Sequence, residues 1–534
     1  MSASTSGEHT DPAYGPPVHA RLRPDAVALI VDGERTTYAE FDDRCRRVGH
    51  ALRALGVHAG DRVAVLLPNA REWFEAVHGT GRIGAVAVPV NVHFKADEAG
   101  HVVRDSGAVA VVVDVELVDA LAGVPDVPRL VVDAGDAPDD YEAALARAGS
   151  ERLDPTGDGW PTTMLYTSGT TGKPKGVAIG EGDLRRSAAG IAMMGMRWDI
   201  GPDDTYLLVG PSYHAGPAIW AQVALAVGGC TVIMRRWDTE ACLRLIERHR
   251  VSITHMVPAN FIRILDLPDD VRARYDLSSL RVVLHAAAPC PVPVKHRIME
   301  FFPADVVWEY YGASEGGGTS ISPQEWRRKP GSVGRPYPGN EFRILEEDGA
   351  ELPAGEPGVI WVRTSSTSFE YHNDPAKTAS TYRDGGWFSV GDVGYLDEDG
   401  YLFITDRKSD MVISGGVNIY PREIENCLYE CPDVVDCAVF GVPDDEWGES
   451  LVAVVQPRAV SDLDEDGVVA WVRDRLADYK RPRTVHLVAE LPRDPNGKVV
   501  KRTLREDYVS SMAEPAGSES PSSPSSGGAS SAST

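Results

Sequence analysis

Met164-Leu-Tyr-Thr-Ser-Gly-Thr-Thr-Gly-Lys-Pro-Lys-Gly-Val177 is the stretch on which the reading of this chain turns. An apolar, β-prone lead-in delivers a run of hydroxyls and glycines, Thr167, Ser168, Gly169, Thr170, Thr171 and Gly172, and Lys175 follows. Backbone N–H groups and hydroxyls in such a loop can wrap a polyphosphate while the lysine supplies positive charge. The Walker A pattern is excluded. Gly169 to Gly172 is too short for G-x-x-x-x-G-K, and Pro174 stands where a Ser or Thr would hold magnesium. Lys175 to Ile179 also reads as a strand, whereas Walker A opens a helix. A polar hairpin loop with no ligand is the plainer alternative for a Ser/Thr/Gly run.

Around this loop lies a chain of 534 residues, long enough for about two to four domains and a large buried core. Its 53 Lys plus Arg face 79 Asp plus Glu, a net charge of −26. That balance argues against nucleic acid or an anionic membrane surface as the main partner, but leaves room for a local basic pocket. Seven cysteines are scattered from Cys45 to Cys437, and Cys427-x3-Cys431 has no histidine pair nearby. They read as reduced thiols of a cytoplasmic protein. The first fifteen residues are polar, carry acids and lack an apolar core, so no secretory signal is expected. The most apolar run, Ala218 to Met234, is broken by Gln222 and Gly228-Gly229 and reads as a helix and a buried strand, not a transmembrane segment.

Upstream of the loop, Thr36 to Phe41 begins an amphipathic helix in which Phe41, Val48 and Leu52 share a face, with Thr37 as its cap. Val63–Leu67, Gly84–Pro89, Ala108–Val113 and Arg129–Val132 read as buried strands. Strands alternating with helices give an α/β sheet covered on both faces. Downstream come Gly210-Pro-Ser-Tyr-His214, a helical stretch to Val227, and a second layer through Met256–Phe261 and Val282–Pro289. Ala286, Ala287 and Ala288 would let a flat ring approach the backbone, although on the residues alone tight sheet packing is the preferred explanation. After about residue 410 a compact α+β pattern follows, with helices at 421–430 and 466–477 and strands at 435–440, 451–455 and 485–488.

The string from Tyr166 to Gly176 resembles the phosphate loop of the adenylate-forming superfamily: acyl- and aryl-CoA synthetases, peptide-synthetase adenylation domains and firefly-type luciferases. Trp308-Glu-Tyr-Tyr-Gly-Ala-Ser-Glu315 is similar to its Tyr-Gly-x-Thr-Glu string, with Ser314 in place of Thr. The resemblance implies that Tyr310, Tyr311, Gly312 and Ser314 face ATP, and that Glu315, with Thr167, holds the ATP magnesium. A hard cation bridging phosphates keeps most of its waters, so one protein carboxylate suffices. Gly386-Trp-Phe-Ser-Val-Gly-Asp392, Asp406-Arg-Lys-Ser-Asp410 and Ile413-Ser-Gly-Gly-Val-Asn-Ile-Tyr-Pro421 are further family strings, and Gly331 to Pro336 is expected to be a structural turn. In the family the aspartate matching Asp392 takes the ribose hydroxyls, the arginine matching Arg407 supports it, and a hinge falls at Ser409, where Asp or Lys is usual. Leu491-Pro-Arg-Asp-Pro-Asn-Gly-Lys498 matches the loop of the catalytic lysine. His214 matches a position beside the acyl carboxylate, and Gly415 and Gly416 match a loop that lines the pantetheine channel.

The resemblance implies an α/β fold: a large N-terminal domain of mixed sheets with flanking helices over 16–405, a hinge at 406–409, and a small α+β lid over 410–510. Residues 1–15 and the Ser/Gly/Pro-rich 511–534 are expected to be disordered. The implied reaction is ATP- and magnesium-dependent activation of a carboxylic acid as acyl-AMP, then transfer to coenzyme A, with Lys498 and His214 at the reaction centre. For the acyl group, Trp220, Met256 and Phe261 offer apolar lining, and Gly316 and Gly317 remove side chains from a wall. The expected substrate is a medium- to long-chain or bulky apolar acid. An aryl acid, or delivery to a carrier-protein thiol, is the alternative, and a homodimer is left open. No acid near Tyr213-His214-Ala215 could pair with an α-ammonium, which disfavours amino acids.

Overall fold

The computed structural model of the protein describes residues 14–513 apart from 125–126, 136, 154–158, 169–172, 181–182, 347–348, 366–367, 408–409, 416, 445 and 495–496. Residues 1–13 and most of 511–534, expected to be disordered, therefore lie outside the description, as does hinge position Ser409.

Val63, Ala64, Val65 and Leu66 are all fully buried, because strand Arg62–Leu66 runs parallel to both of its neighbours and is covered on both faces. It belongs to a five-stranded parallel sheet ordered 129–132, 108–114, 62–66, 86–89, 162–163. A second, larger sheet sets Val27–Val31, Cys230–Ile233, Thr205–Leu208, Ile253–Met256, Val282–His285 and Val307–Ala313 side by side and parallel. It then turns antiparallel through Gly316–Ile321, Ser332–Pro336, Leu402–Arg407 and Asp392–Leu396.

The helix from Tyr38 to Ala54 starts where the sequence places it. The Thr37 hydroxyl accepts from the Glu40 N–H while Glu40 accepts from the Thr37 backbone, so both orphan donors are satisfied. Its Phe41, Val48 and Leu52 join Val63 and Val65 of one sheet and Leu29, Tyr206 and Leu284 of the other in a single core. The far face of the larger sheet carries a second core, in which Leu207, Met256 and Val283 meet Phe261, Ile298 and Phe302. Alternation along each strand sends neighbouring residues to different cores, as Tyr206 and Leu207 show.

From Val412 onward a separate sheet forms, with Gly448–Pro457 between antiparallel Val434–Asp444 and parallel Thr484–Leu487, and helices Pro421–Tyr429 and Glu465–Arg473 against it. This is the expected α+β lid. Strand Leu402–Arg407 still belongs to the large sheet and Val412–Ser414 to the lid, so the chain passes between domains across 408–411. The final helix, Lys501–Ala513, runs a few residues past the expected end of the lid. One expectation is corrected: Gly331 to Pro336 is no turn but contains strand Ser332–Pro336. Gly334 is required there because its φ is 97° and a side chain would run into the Ser320 carbonyl. All seven cysteines are free, and no helix among the described residues is long and apolar enough to cross a membrane.

Candidate active site

The carboxyl ends of the parallel strands of the larger sheet converge on one edge, the place where open α/β sheets bind ligands. Thr205–Leu208 leads out to His214, Val282–His285 to the three alanines, and Val307–Ala313 to Ser314 and Glu315. Ala286 is buried, whereas Ala287 is exposed with φ 71°, which turns the backbone outward at this edge. The phosphate stretch forms a hairpin: Leu165–Ser168 pairs antiparallel with Pro174–Ile179, setting Thr167 opposite Lys175. Its tip, Gly169, Thr170, Thr171 and Gly172, lies outside the described residues. The Lys175 ammonium reaches Asp374 Oδ2 at 2.9 Å with both side chains partly exposed. Such a pair contributes little to stability, so a phosphate could take over the lysine at small cost.

Asp392 and Arg407 face each other in register on adjacent antiparallel strands. The Asp392 side chain is almost completely buried; Arg407 Nε lies 3.3 Å from Oδ1, and the Tyr311 hydroxyl donates to Oδ2 at 2.6 Å. Burial, then the charge of Asp392, pushes the Tyr311 hydroxyl well above its ordinary pKa and keeps it a donor. Tyr310, one residue earlier, points to the opposite sheet face, where its hydroxyl accepts from Trp220 Nε1 at 3.1 Å beside the His255 ring. Of the two tyrosines, then, only Tyr311 is brought to Asp392.

Glu315 is 8% exposed and accepts from the Tyr371 hydroxyl at 2.8 Å on Oε1. No described residue donates to its Oε2, and no cluster of three or more metal-ligating side chains occurs among the described residues. One aimed carboxylate suits a magnesium ion that arrives with phosphate and water ligands, and not a resident metal centre. Beside it, Arg185 is locked on Asp183 and donates to the Ser314 carbonyl at 2.9 Å.

His214 caps the Ala215–Val227 helix from outside, and its Nε2 is buried without a hydrogen-bond partner. Burial, and secondarily His93, pushes its pKa down to about 4, so the imidazole is neutral at pH 7. The lid docks against this corner. A Cβ at Gly497 would meet Ala259 at 3.0 Å and Val257 at 3.2 Å, and Arg458 pairs with Asp266 at 3.1 Å. The Lys498 ammonium is held below its usual pKa by burial first and by Arg407 second, against the opposing pull of Asp410, Asp494 and Asp392. Lys498 thus stands in the field of the Asp392–Arg407 pair, although 106 residues and a domain boundary separate it from Asp392. Its loop is tied by Lys498 N–H to Asp494 Oδ1 at 2.9 Å and by the returning Asp494 N–H to the Lys498 carbonyl at 2.8 Å.

The expected acyl wall is not assembled as read from the sequence. Met256 and Phe261 are fully buried in the core on the far face of the sheet, with the Phe261 ring 5.3 Å from His285. Trp220 is committed to Trp198 and Tyr310. Gly317 has φ 76° and abuts Val362, which explains its missing side chain by packing; Gly316, with φ 123°, enters the same strand beside a bulge. A cavity lined instead by Trp73, Trp160, Leu165, Ala215, Ile219 and Ser314 borders Glu315 and His214. Gly415, with φ 57°, donates to the Trp447 carbonyl at 2.8 Å, while Gly416 lies outside the described residues. Sequence reasoning missed Tyr371, Asp374 and the Asp183–Arg185 pair; each acts through a partner distant in the chain or through a backbone carbonyl, and none carries a motif.

Lys498 of the small second domain thus meets the Asp392–Arg407 pair of the large one. Residues 17–372 match the family described as AMP-binding enzyme, and residues 423–498 match the AMP-binding enzyme C-terminal domain. Feruloyl-CoA synthase of Amycolatopsis sp is 37% identical over 494 residues, covering 92% of this chain and 97% of that protein. Long-chain-fatty-acid–CoA ligase FadD13 of Mycobacterium tuberculosis is 34% identical, with 90% and 94% covered. The structure of ATP-bound MatB from Rhodopseudomonas palustris superposes with a TM-score of 0.81 at 31% identity, covering 92% of this chain and 99% of that one. The chain belongs to the AMP-binding enzyme family, within the adenylate-forming superfamily that includes the acyl-CoA synthetases.

Proposed function

We propose that this chain is an AMP-forming acid–thiol ligase that activates a bulky or medium- to long-chain apolar carboxylic acid as acyl-AMP and passes the acyl group to coenzyme A. The observation that carries the reading is Lys498, presented by the lid to the Asp392–Arg407 pair. A carboxylate is already a nucleophile at neutral pH, so adenylation requires no protein nucleophile. It requires that two mutually repelling anions be aligned and their charge offset. Asp392 accepts the ribose hydroxyls, Lys175 and the Thr167 hairpin engage the outer phosphates, and Lys498 sits between the carboxylate and the α-phosphate. Magnesium held by Glu315 with phosphate oxygens would stabilise the departing pyrophosphate.

A thiol cannot reach the mixed anhydride past Lys498, so the lid turns about Ser409 after adenylation and brings Gly415-Gly416 to the channel. The relatives named as CoA ligases support coenzyme A as acceptor. The seven free thiols support a reducing cytoplasmic setting. The test is pyrophosphate release from ATP across octanoate, palmitate, cinnamate and benzoate, with the thioester identified by mass. AMP and an acyl-CoA in equal amounts are expected. Release of ADP, or acyl-AMP that reacts only when a carrier protein replaces coenzyme A, would overturn the assignment.

A further inference from the structure

Three residues lining the cavity beside the reaction centre carry a polar group without a partner among the described residues: the Ser212 hydroxyl, the Trp73 indole N–H and the Gln222 amide NH2. The Ala215–Val227 helix presents Ala215, Ala218, Ile219 and Gln222 to it, at the i, i+3, i+4 and i+7 spacing of one helical face. Ala215 adjoins His214, so the near end lies by the reacting carboxylate; seven residues at the helical rise put Gln222 roughly 10 Å deeper. Trp73 and Trp160 form much of the wall, and the buried Trp73 Nε1–H has no hydrogen-bond partner.

Gln222 is 8% exposed, and its Oε1 lies 2.8 Å from His78 Nε2. Burial drives the His78 pKa down to about 3, so the ring is neutral and donates from Nε2 to that oxygen. With the oxygen engaged, the amide NH2 of this cavity-lining residue is left without an acceptor among the described residues. Ser212, fully buried, lines the same cavity. Its backbone N–H is fixed on Asn69 Oδ1 at 2.7 Å, yet its hydroxyl has no partner. An unpaired buried polar group costs about 1–3 kcal/mol; the Ser212 hydroxyl and the Trp73 indole N–H are both buried without a partner, and with the Gln222 amide NH2 beside them they point to a ligand that completes them.

Resting on the ligase reading above, we infer that the acid carries an oxygen acceptor, a hydroxyl, ether or ketone, at the end remote from its carboxylate, and that Gln222 and Ser212 recognise it. An unadorned hydrocarbon acid would leave both groups unpaired inside apolar walls. Sites built to hydrogen-bond a substrate reject the analogue lacking that group far more strongly than an apolar wall rejects a missing methylene.

The experiment compares kcat/KM for pyrophosphate release in two pairs, 4-hydroxycinnamate against cinnamate and 8-hydroxyoctanoate against octanoate, in the full chain and in Ser212→Ala and Gln222→Leu. At least one oxygenated acid is expected to exceed its partner by about tenfold or more, with each variant cutting that ratio severalfold. Ser212→Ala removes only an unbonded oxygen, so it reads the ratio without disturbing the fold should Gln222→Leu fail to fold. Ratios near one in both pairs, or a preference that survives Ser212→Ala and a folded Gln222→Leu, overturn the inference while leaving the ligase reading intact. AMP from some other acid but from none of these four does the same. No AMP from any acid overturns both.

Discussion

Asp392→Asn tests the nucleotide platform with the least change of shape. Asp392 is 7% exposed, already accepts from the Tyr311 hydroxyl at 2.6 Å, and is ion-paired with Arg407, whose Nε lies 3.3 Å from Oδ1. On the proposed function, its remaining lone pairs take the two ribose hydroxyls. The amide keeps one oxygen, turns an acceptor into a donor, and leaves Arg407 without its counter-charge. One ribose bond is lost and the other falls from charge-assisted, about 1.5–3 kcal/mol, to neutral, about 0.5–1.5 kcal/mol. The sum, about 2–4 kcal/mol, corresponds to roughly 30- to 1,000-fold weaker ATP binding. Because Asp392 also raises the Lys498 pKa, its loss should shift the alkaline limb of the rate profile to lower pH. Calorimetric titration with ATP and pyrophosphate release at varied ATP both read the effect, with thermal unfolding as the folding control. A folded variant whose ATP affinity stays within threefold of the parent would refute the reasoning.

Glu315→Gln should raise the magnesium concentration needed for half-maximal pyrophosphate release tenfold or more, about 1.4 kcal/mol, while thermal stability holds because Tyr371 can still donate to the amide oxygen; an unaltered magnesium titration would dispose of the metal role. Lys295 and Glu309 form a buried pair at 2.5 Å with Lys295 also over the Trp326 ring at 4.6 Å, so Lys295→Met alone should cost about 3–5 kcal/mol in urea unfolding, and adding Glu309→Leu should restore much of it. Additive losses in the double variant would count against that coupling. Burial pushes His78 and His255 down to about 3 and His214 to about 4, so the unfolded chain takes up protons first as pH falls. Stability from these three is complete above about pH 6.5 and drops by about 1.4 kcal/mol per unit for each imidazole until the folded pKa values are reached; equal urea midpoints at pH 7 and pH 5 would be inconsistent with neutral buried rings.

Much of this architecture is legible in the sequence because local signals agree with tertiary need. Thr37 and Glu40 announce a helix start, and all-apolar runs such as Val63–Leu66 announce strands buried on both faces. Asp392, Arg407 and Lys498 stand out in the sequence because their motif strings are contiguous, and the structure brings the three near one another. The acyl wall could not. Which face of a strand or helix meets a cavity depends on register one residue at a time, so Met256 went to the far core and Trp220 to Tyr310, while Gln222, expected only as a break in an apolar run, faces the cavity. Gly334 misled for a related reason: it marks a close approach to the Ser320 carbonyl within a strand, not a turn. Tyr371 and Asp374 carry no signal of their own, since they matter only through partners 56 and 199 residues away.

On the proposed function one pocket serves two displacements, with Lys498 needed for the first alone. The direct measurement separates the half-reactions in Lys498→Ala: acyl-AMP formation from acid and ATP, and thioester formation from supplied acyl-AMP and coenzyme A. Loss of a preorganised charge at the transition state predicts a fall of about 10²–10³ or more in the first rate. The second rate is expected to stay within a few-fold of the parent. Equal loss of both half-reactions, or retention of both, would contradict the role given to the lid.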